Sequence, residues 1–273
     1  MKTKLEKNSF NKRLSSMLGV DFRRMFTSPL FYLMIGISLV VPILILVMVT
    51  MMEGSVSVNP QTGEETIMEG FKSVWEMIGS VSSSSADASA GAGMSMSITS
   101  MCNINMMFFA VAVFVCIFVG DDFRSGYAKN LFTVRSNKSD YVISKTNSCF
   151  VAGGAMIIAF FIGSMIGGKF AGVPFVLDGA NAFNIVMCMI SKVLLVGIFV
   201  SIYVLASVIA KQKLWMSILV SLGIGMLMFM MIPIITPFNS TIVNVILCAV
   251  GSVLFCFGIG VASKAILEKT SLV

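Results

Sequence analysis

Histidine is absent from the 273 residues, and acidic residues number only 13. The first absence excludes a Ser-His-Asp triad, a His-ligated zinc or haem, and phosphotransfer through histidine. The six cysteines (102, 116, 149, 188, 248 and 256) never form C-x-x-C, so no zinc knuckle or dithiol redox motif is present. Most lie in or beside apolar runs and read as small buried hydrophobes. Cys102 and Cys188 fall near the same membrane face, and whether they pair is left open. Charged residues make up 12% of the chain, against about 25% in a soluble domain whose surface must be wetted. What fills the chain is apolar: 57% hydrophobic residues, 23 Met, 22 Phe and a mean hydropathy of +0.95. Lipid is the expected solvent, and the expected fold is an all-α integral membrane protein with one transmembrane domain over 1–273.

A bilayer core needs about 20 apolar residues as a helix. Six stretches meet that length: 31–52, 101–120, 146–168, 185–210, 214–235 and 242–262. The first follows some thirty polar and basic residues, which suits an uncleaved signal anchor better than a cleaved leader. Pro42, Pro233 and Pro237 are candidates for kinks or helix ends. With six spans, sixteen of the 19 Lys and Arg fall on one face: seven within 1–30, five within 121–145, then Lys211, Lys213, Lys264 and Lys269. Only Lys72, Lys169 and Lys192 remain for the other face, which carries Glu53, Glu64, Glu65, Glu69, Glu76, Asp87 and Asp178. By the positive-inside rule both termini are expected to be cytoplasmic, in a multi-pass membrane protein. The net charge of +6 is thus a topology signal and not a nucleic-acid footprint.

Three segments lie outside the spans. Within the cytoplasmic segment 1–30, residues 12–27 place Leu14, Met17, Leu18, Phe22, Met25 and Phe26 at steps of three and four. Arg23 and Arg24 share the opposite side with Lys12, Arg13 and Ser16. That pattern predicts a basic amphipathic helix at the headgroup level, preceding the Ser28-Pro29 turn into span one. The extracellular segment 53–100 carries a stripe of Ile67, Phe71, Val74, Trp75 and Ile78, predicting a short amphipathic helix that caps or gates the bundle. A Ser/Ala/Gly tract at 80–97 follows it as a linker. In the cytoplasmic loop 121–145, Phe123, Tyr127, Leu131 and Phe132 form one apolar side of a short helix, to be buried either in headgroups or in a partner's groove.

Several motifs tempt and fail. Gly163 to Phe170 matches G-x-x-x-x-G-K but ends in Phe170 where Ser or Thr would ligate magnesium, and no strand precedes it. Gly163 and Gly167 read better as a G-x-x-x-G packing face. The six spans hold no Asp or Glu, so proton-transfer chemistry inside the membrane has no carboxylate or imidazole to use. The chain is expected to be no enzyme, to bind no cofactor or metal, and to contact membrane lipid but no nucleic acid. Lys192 is the one charge inside a span, and either snorkels to the interface or anchors an anionic group. Asn103 and Asn105 belong to a set of asparagines in the outer half that either cap helices or line a polar path.

The layout as a whole resembles the membrane subunit of the ABC type-2 permease family. The likeness is sharpest over 121–145, in Asp121-Asp122, Gly126, Lys129, Leu131-Phe132, Arg135 and Tyr141 to Lys145. It departs in carrying Asp122 where many members carry Glu, and in the short turn Thr236 to Thr241, which leaves no room for an external domain there. In size it is similar to the subgroup of paired permeases that expel lantibiotic-type peptides. The resemblance implies that two permease chains pair, as a homodimer or with a similar chain, above two cytosolic ATP-binding subunits that use ATP and Mg. It implies a coupling helix at 122–133 and contact with the ATPase through Asp122, Phe123, Tyr127, Lys129, Leu131, Phe132 and, just beyond it, Arg135. Asn103, Asn105 and Lys192 are candidates for the path of a peptide, lipid or drug-like substrate. A non-transporting scaffold or sensor partner, and a stand-alone carrier, are the competing functions.

Overall fold

Inside lipid the backbone has no water to bond, so apolar runs satisfy their N–H and C=O groups as helices. The computed structural model describes residues 2–58, 65–67, 70–79, 102–134, 138–177, 181–229 and 231–269, and helices dominate it. In chain order they are α1 (Lys2–Thr27), α2 (Pro29–Met52), α3 (Met107–Arg124), α4 (Tyr127–Val134), α5 (Lys138–Ala171), α6 (Ala182–Ala210), α7 (Leu214–Phe229), α8 (Ile232–Ile235) and α9 (Ile242–Lys269). Among the described residues, five segments are long and apolar enough to cross a bilayer: α2, Ile104–Arg124, α5, α6 and α9. The sixth apolar stretch, expected at 214–235, divides into α7 and α8. At 16 residues α7 is about 24 Å long, short of a 30 Å hydrocarbon core. A proline marks where the helix restarts: Pro233 lies in the first turn of α8, where its missing N–H costs nothing.

The helical layer is not the whole chain. Val56–Val58 (β1) and Glu65–Ile67 (β2) pair antiparallel, Val56 opposite Ile67, so the predicted helical stripe begins in a strand. The rest of the stripe forms only a 3₁₀ turn, Val74–Met77, capped by the Ser73 hydroxyl accepting from the Trp75 N–H. Phe71, Val74, Met77 and Ile78 are buried as their apolar character requires, but in a turn wedged on α5 and not in a helix. The tract 80–97 lies outside the described residues.

Helices in lipid gain nothing from excluding water, so close packing and small residues hold them together. One close seam joins α2 to α5. A Cβ on Gly163 would collide with the Leu39 carbonyl and the Pro42 ring, and one on Gly167 would lie 2.8 Å from the Ile43 Cα. The G-x-x-x-G reading of these residues therefore holds. A second seam joins α6 to α9 where Gly197 abuts Ser252. The α6 helix also borders α3, α5 and α7, and is the central post of the bundle. At one end, here called the lower, lie α1, α4 and the α6–α7 turn. The segment between α2 and α3 lies at the opposite, upper end.

α1 begins at Lys2, ten residues earlier than the predicted 12–27 helix. Its buried line runs Met17, Asp21, Met25, against the lower part of α5. Leu14, Leu18 and Phe22 flank that line half-buried, Arg24 is also half-buried, and Arg23 and Phe26 are exposed. The stripe read from the sequence as facing lipid headgroups thus faces the protein along much of its length.

Candidate functional site

Two buried polar clusters stand out, one at each end of the bundle. The lower one gathers four charges from three helices. Lys145, in the third turn of α5, has no exposed surface. Its Nζ lies 2.8 Å from Asp21 Oδ1 of α1 and 2.7 Å from Asp122 Oδ2 of α3. Arg24 closes the group, with Nη1 2.8 Å from Asp122 Oδ1 and 4.0 Å from Asp21. Ser144 donates to Asp21 Oδ2 at 2.5 Å, and Tyr141 donates to Asp122 Oδ2 at 3.0 Å. Two acids and two bases cancel, and both carboxylates receive further neutral donors, which is what a charged group needs to survive burial. The Phe118 ring lies 4.2 Å from the ammonium and completes its surroundings. For Arg24, burial works against the charge, but Asp122, Tyr127 and Asp21 hold its pKa above the ordinary value. A second α1–α5 ion pair, Arg13 to Asp140 at 3.4 Å, lies one helical stretch away.

This cluster fixes the geometry of α4. The α3 helix continues to Arg124, so Asp122 and Phe123 belong to its last turn and not to a separate 122–133 helix. Gly126, at φ +73°, turns the chain in a conformation that side chains other than glycine's rarely adopt, and α4 then runs for eight residues. The apolar side of α4 turns inward. Phe123 is 5% exposed and meets Tyr141 edge-on, and Phe132 does the same at 5.3 Å. Leu131 is half-buried against the same core, while Tyr127 lies beneath the Arg24 guanidinium at 4.3 Å. Phe123 is therefore buried within the chain, Leu131 and Phe132 are partly buried there, and the exposed side of α4 is Lys129, Asn130 and Thr133. Single aromatic contacts seat this eight-residue helix, Phe132 on Tyr141 and Tyr127 under Arg24. Arg135 lies outside the described residues.

The upper cluster centres on Lys192 of α6, ten residues or about 15 Å from the start of that helix. It does not snorkel. The side chain has no exposed surface, and Nζ donates to Asn105 Oδ1 at 2.7 Å and to Thr236 Oγ1 at 3.1 Å. The Thr236 hydroxyl in turn donates to the Ile232 carbonyl at 2.8 Å. Asn105 sits in the 3₁₀ turn that leads into α3, and Asn103 caps that turn by accepting from the Asn105 N–H at 3.0 Å. Asn103, Asn105 and Lys192 are thus neighbours in one half of the molecule, with Asn103 a cap and the other two in direct contact. Thr236 is a partner that the sequence does not announce. Asp21, Lys145, Tyr141 and Ser144 also escape a reading of the sequence as a lower-end cluster.

At the lower end a recess of about 480 Å³ opens between Arg124 and the α6–α7 turn, lined by Gln212, Lys213, Leu214, Trp215 and Met216. Cations beside a largely exposed Trp215 are the chemistry of a membrane interface. No group of ligating side chains suited to a metal ion occurs among the described residues. All six cysteines are free thiols, so Cys102 and Cys188 are not bridged.

The fold and its two polar clusters define a polytopic helical protein of the kind that embeds in membranes. The chain matches no family model, and no curated protein or solved structure is significantly similar to it.

Proposed function

We propose that the chain is the permease subunit of an ATP-binding-cassette exporter, driven by a separate cytosolic ATPase and paired with a second permease chain. In this reading α7 and α8 together form a sixth crossing, the lower end faces the cytoplasm of a bacterial cell, and both termini lie there. The observation that carries the reading is the four-charge cluster. It bolts α1 to the bases of α3 and α5 directly above α4, so a push on α4 reaches three helices at once. A lever of that kind is what a transporter without its own ATPase needs. ATP binding would shift the population between two access states through the differential affinity of the two arrangements for nucleotide. The chain itself contributes a path and a lever, binds no nucleotide or metal, and performs no bond chemistry.

The test is affinity purification from native membranes in mild detergent, with mass spectrometry of co-purifying proteins. A soluble ATP-binding subunit is expected, and Lys129→Glu combined with Asn130→Asp on the outward side of α4 should release it. If the chain runs alone under conditions that keep a known permease–ATPase complex together, the scaffold or stand-alone carrier readings replace this one.

A further inference from the structure

We infer that Lys192 is the recognition group of an anion site buried in the upper half of the bundle, taking a carboxylate or an anion of similar size. Three observations converge. First, the ammonium is fully buried, and its two hydrogen-bond partners, Asn105 and Thr236, are both uncharged. Among the described residues it has no carboxylate partner, in contrast to Lys145, which has two at under 3 Å. A lone charge in a medium of low dielectric is unfavourable unless it is compensated, and the two acceptors leave one of three N–H donors available. Second, Asn105 lies in the turn at the N-terminal end of the Ile104–Arg124 span, so the positive end of that helix adds to the ammonium's potential. Both local fields have the same sign, and an anion cancels both.

Third, an apolar cluster closes over the site. Ile78, Ile185, Cys188 and Phe238 form a small apolar cluster of their own, separate from the main core, between Lys192 and the upper end. Gly79 lets Phe238 sit close, since a Cβ there would touch the Phe238 side chain at 3.3 Å. The cluster is assembled from the α2–α3 segment, α6 and the α8–α9 turn, three pieces joined by short contacts and not by a continuous helix. Trp75 packs on this cluster and meets Phe175 edge-on at 6.0 Å, which makes it a natural reporter. Under the transport reading, on which this extension rests, the path would select an anionic group; binding itself requires no ATPase.

The experiment uses the full chain in detergent with Trp215→Phe, leaving Trp75 as the sole tryptophan. Sodium acetate and sodium chloride are titrated separately at constant ionic strength while Trp75 emission is followed. A saturable change with acetate assigns a carboxylate ligand, and one with chloride alone assigns an inorganic anion. Either is expected to disappear in Lys192→Met and to persist in Lys169→Met, a lysine exposed at the end of α5. Lys192→Arg, which keeps the charge, should retain binding and shows that loss in the Met variant is not misfolding. A flat titration with both salts, as a neutral amine would give, overturns the site. So does a response that survives Lys192→Met. Failure here with the ATPase still recovered would remove the anion site and leave the permease reading standing.

Discussion

Replacing Lys145 by Met removes the hub of the lower cluster and leaves Asp21 and Asp122 facing one another with no exposed surface. Only Arg24 remains nearby, half-exposed, at 2.8 Å from one carboxylate and 4.0 Å from the other. Removing one partner of a buried ion pair costs about 3–5 kcal/mol, because the stranded charge keeps its desolvation penalty. For a chain of this size that corresponds to a fall in Tm on the order of 10 °C. Arg24→Met should cost less, about 1 kcal/mol, since solvent already screens the guanidinium and Lys145 stays within 2.8 Å of both acids, although one negative charge is left unbalanced. The decisive variant combines Lys145→Met with Asp21→Asn and Asp122→Asn. The amides still accept from Ser144 and Tyr141, the one charge left without a carboxylate is the partly exposed Arg24, and most of the lost stability should return. Unfolding is read with a thiol-reactive fluorophore, which reaches Cys116 and Cys149 only when the bundle opens. A Lys145→Met chain within about 2 °C of wild type, or a triple variant no better than the single one, would refute the electrostatic argument.

Packing and thiol chemistry give further checks. Gly167→Val should separate α2 from α5 and lower Tm by several degrees, while Gly223→Val, with open space around its Cα, should pass nearly unnoticed; equal losses would sink the seam. Leu131→Asp should destabilise the isolated chain, because that side chain packs inward on its own core, whereas Lys129→Glu should leave Tm unchanged. Alkylation of the unfolded, unreduced chain should add six labels by intact mass; four labels would reveal a disulfide.

The long apolar runs were legible because hydropathy over about 20 residues reports on solvent, and five of the spans required nothing else. The division of 214–235 into α7 and α8 was not, since the run stays apolar through Ile235 and only Pro233 hints that a helix restarts. Periodicity found the apolar side of 123–132 but not what it faces, because an amphipathic stripe looks the same against lipid, a partner or Tyr141. The ion cluster was invisible for a different reason. Asp21 and Lys145 are 124 positions apart, from 145 − 21, and counting basic residues by face treats each as solvated. Lys192 was conspicuous as a charge in an apolar run, yet its burial depends on Thr236, brought to it by the turn after α8.

Lys145 also has a history within the assembly of the molecule. Its carboxylate partners come from α1 and α3, so its charge is unpaired until α3 and α5 stand side by side. In the nascent chain it is a free cation, able to hold its flank on one side of the bilayer. In the finished protein the same cation is neutralised and sealed from water. One residue thus acts first as an address and later as a rivet, and a substitution there has two separable phenotypes: a misoriented fraction set during insertion, and a loosened fold in the fraction that inserts correctly.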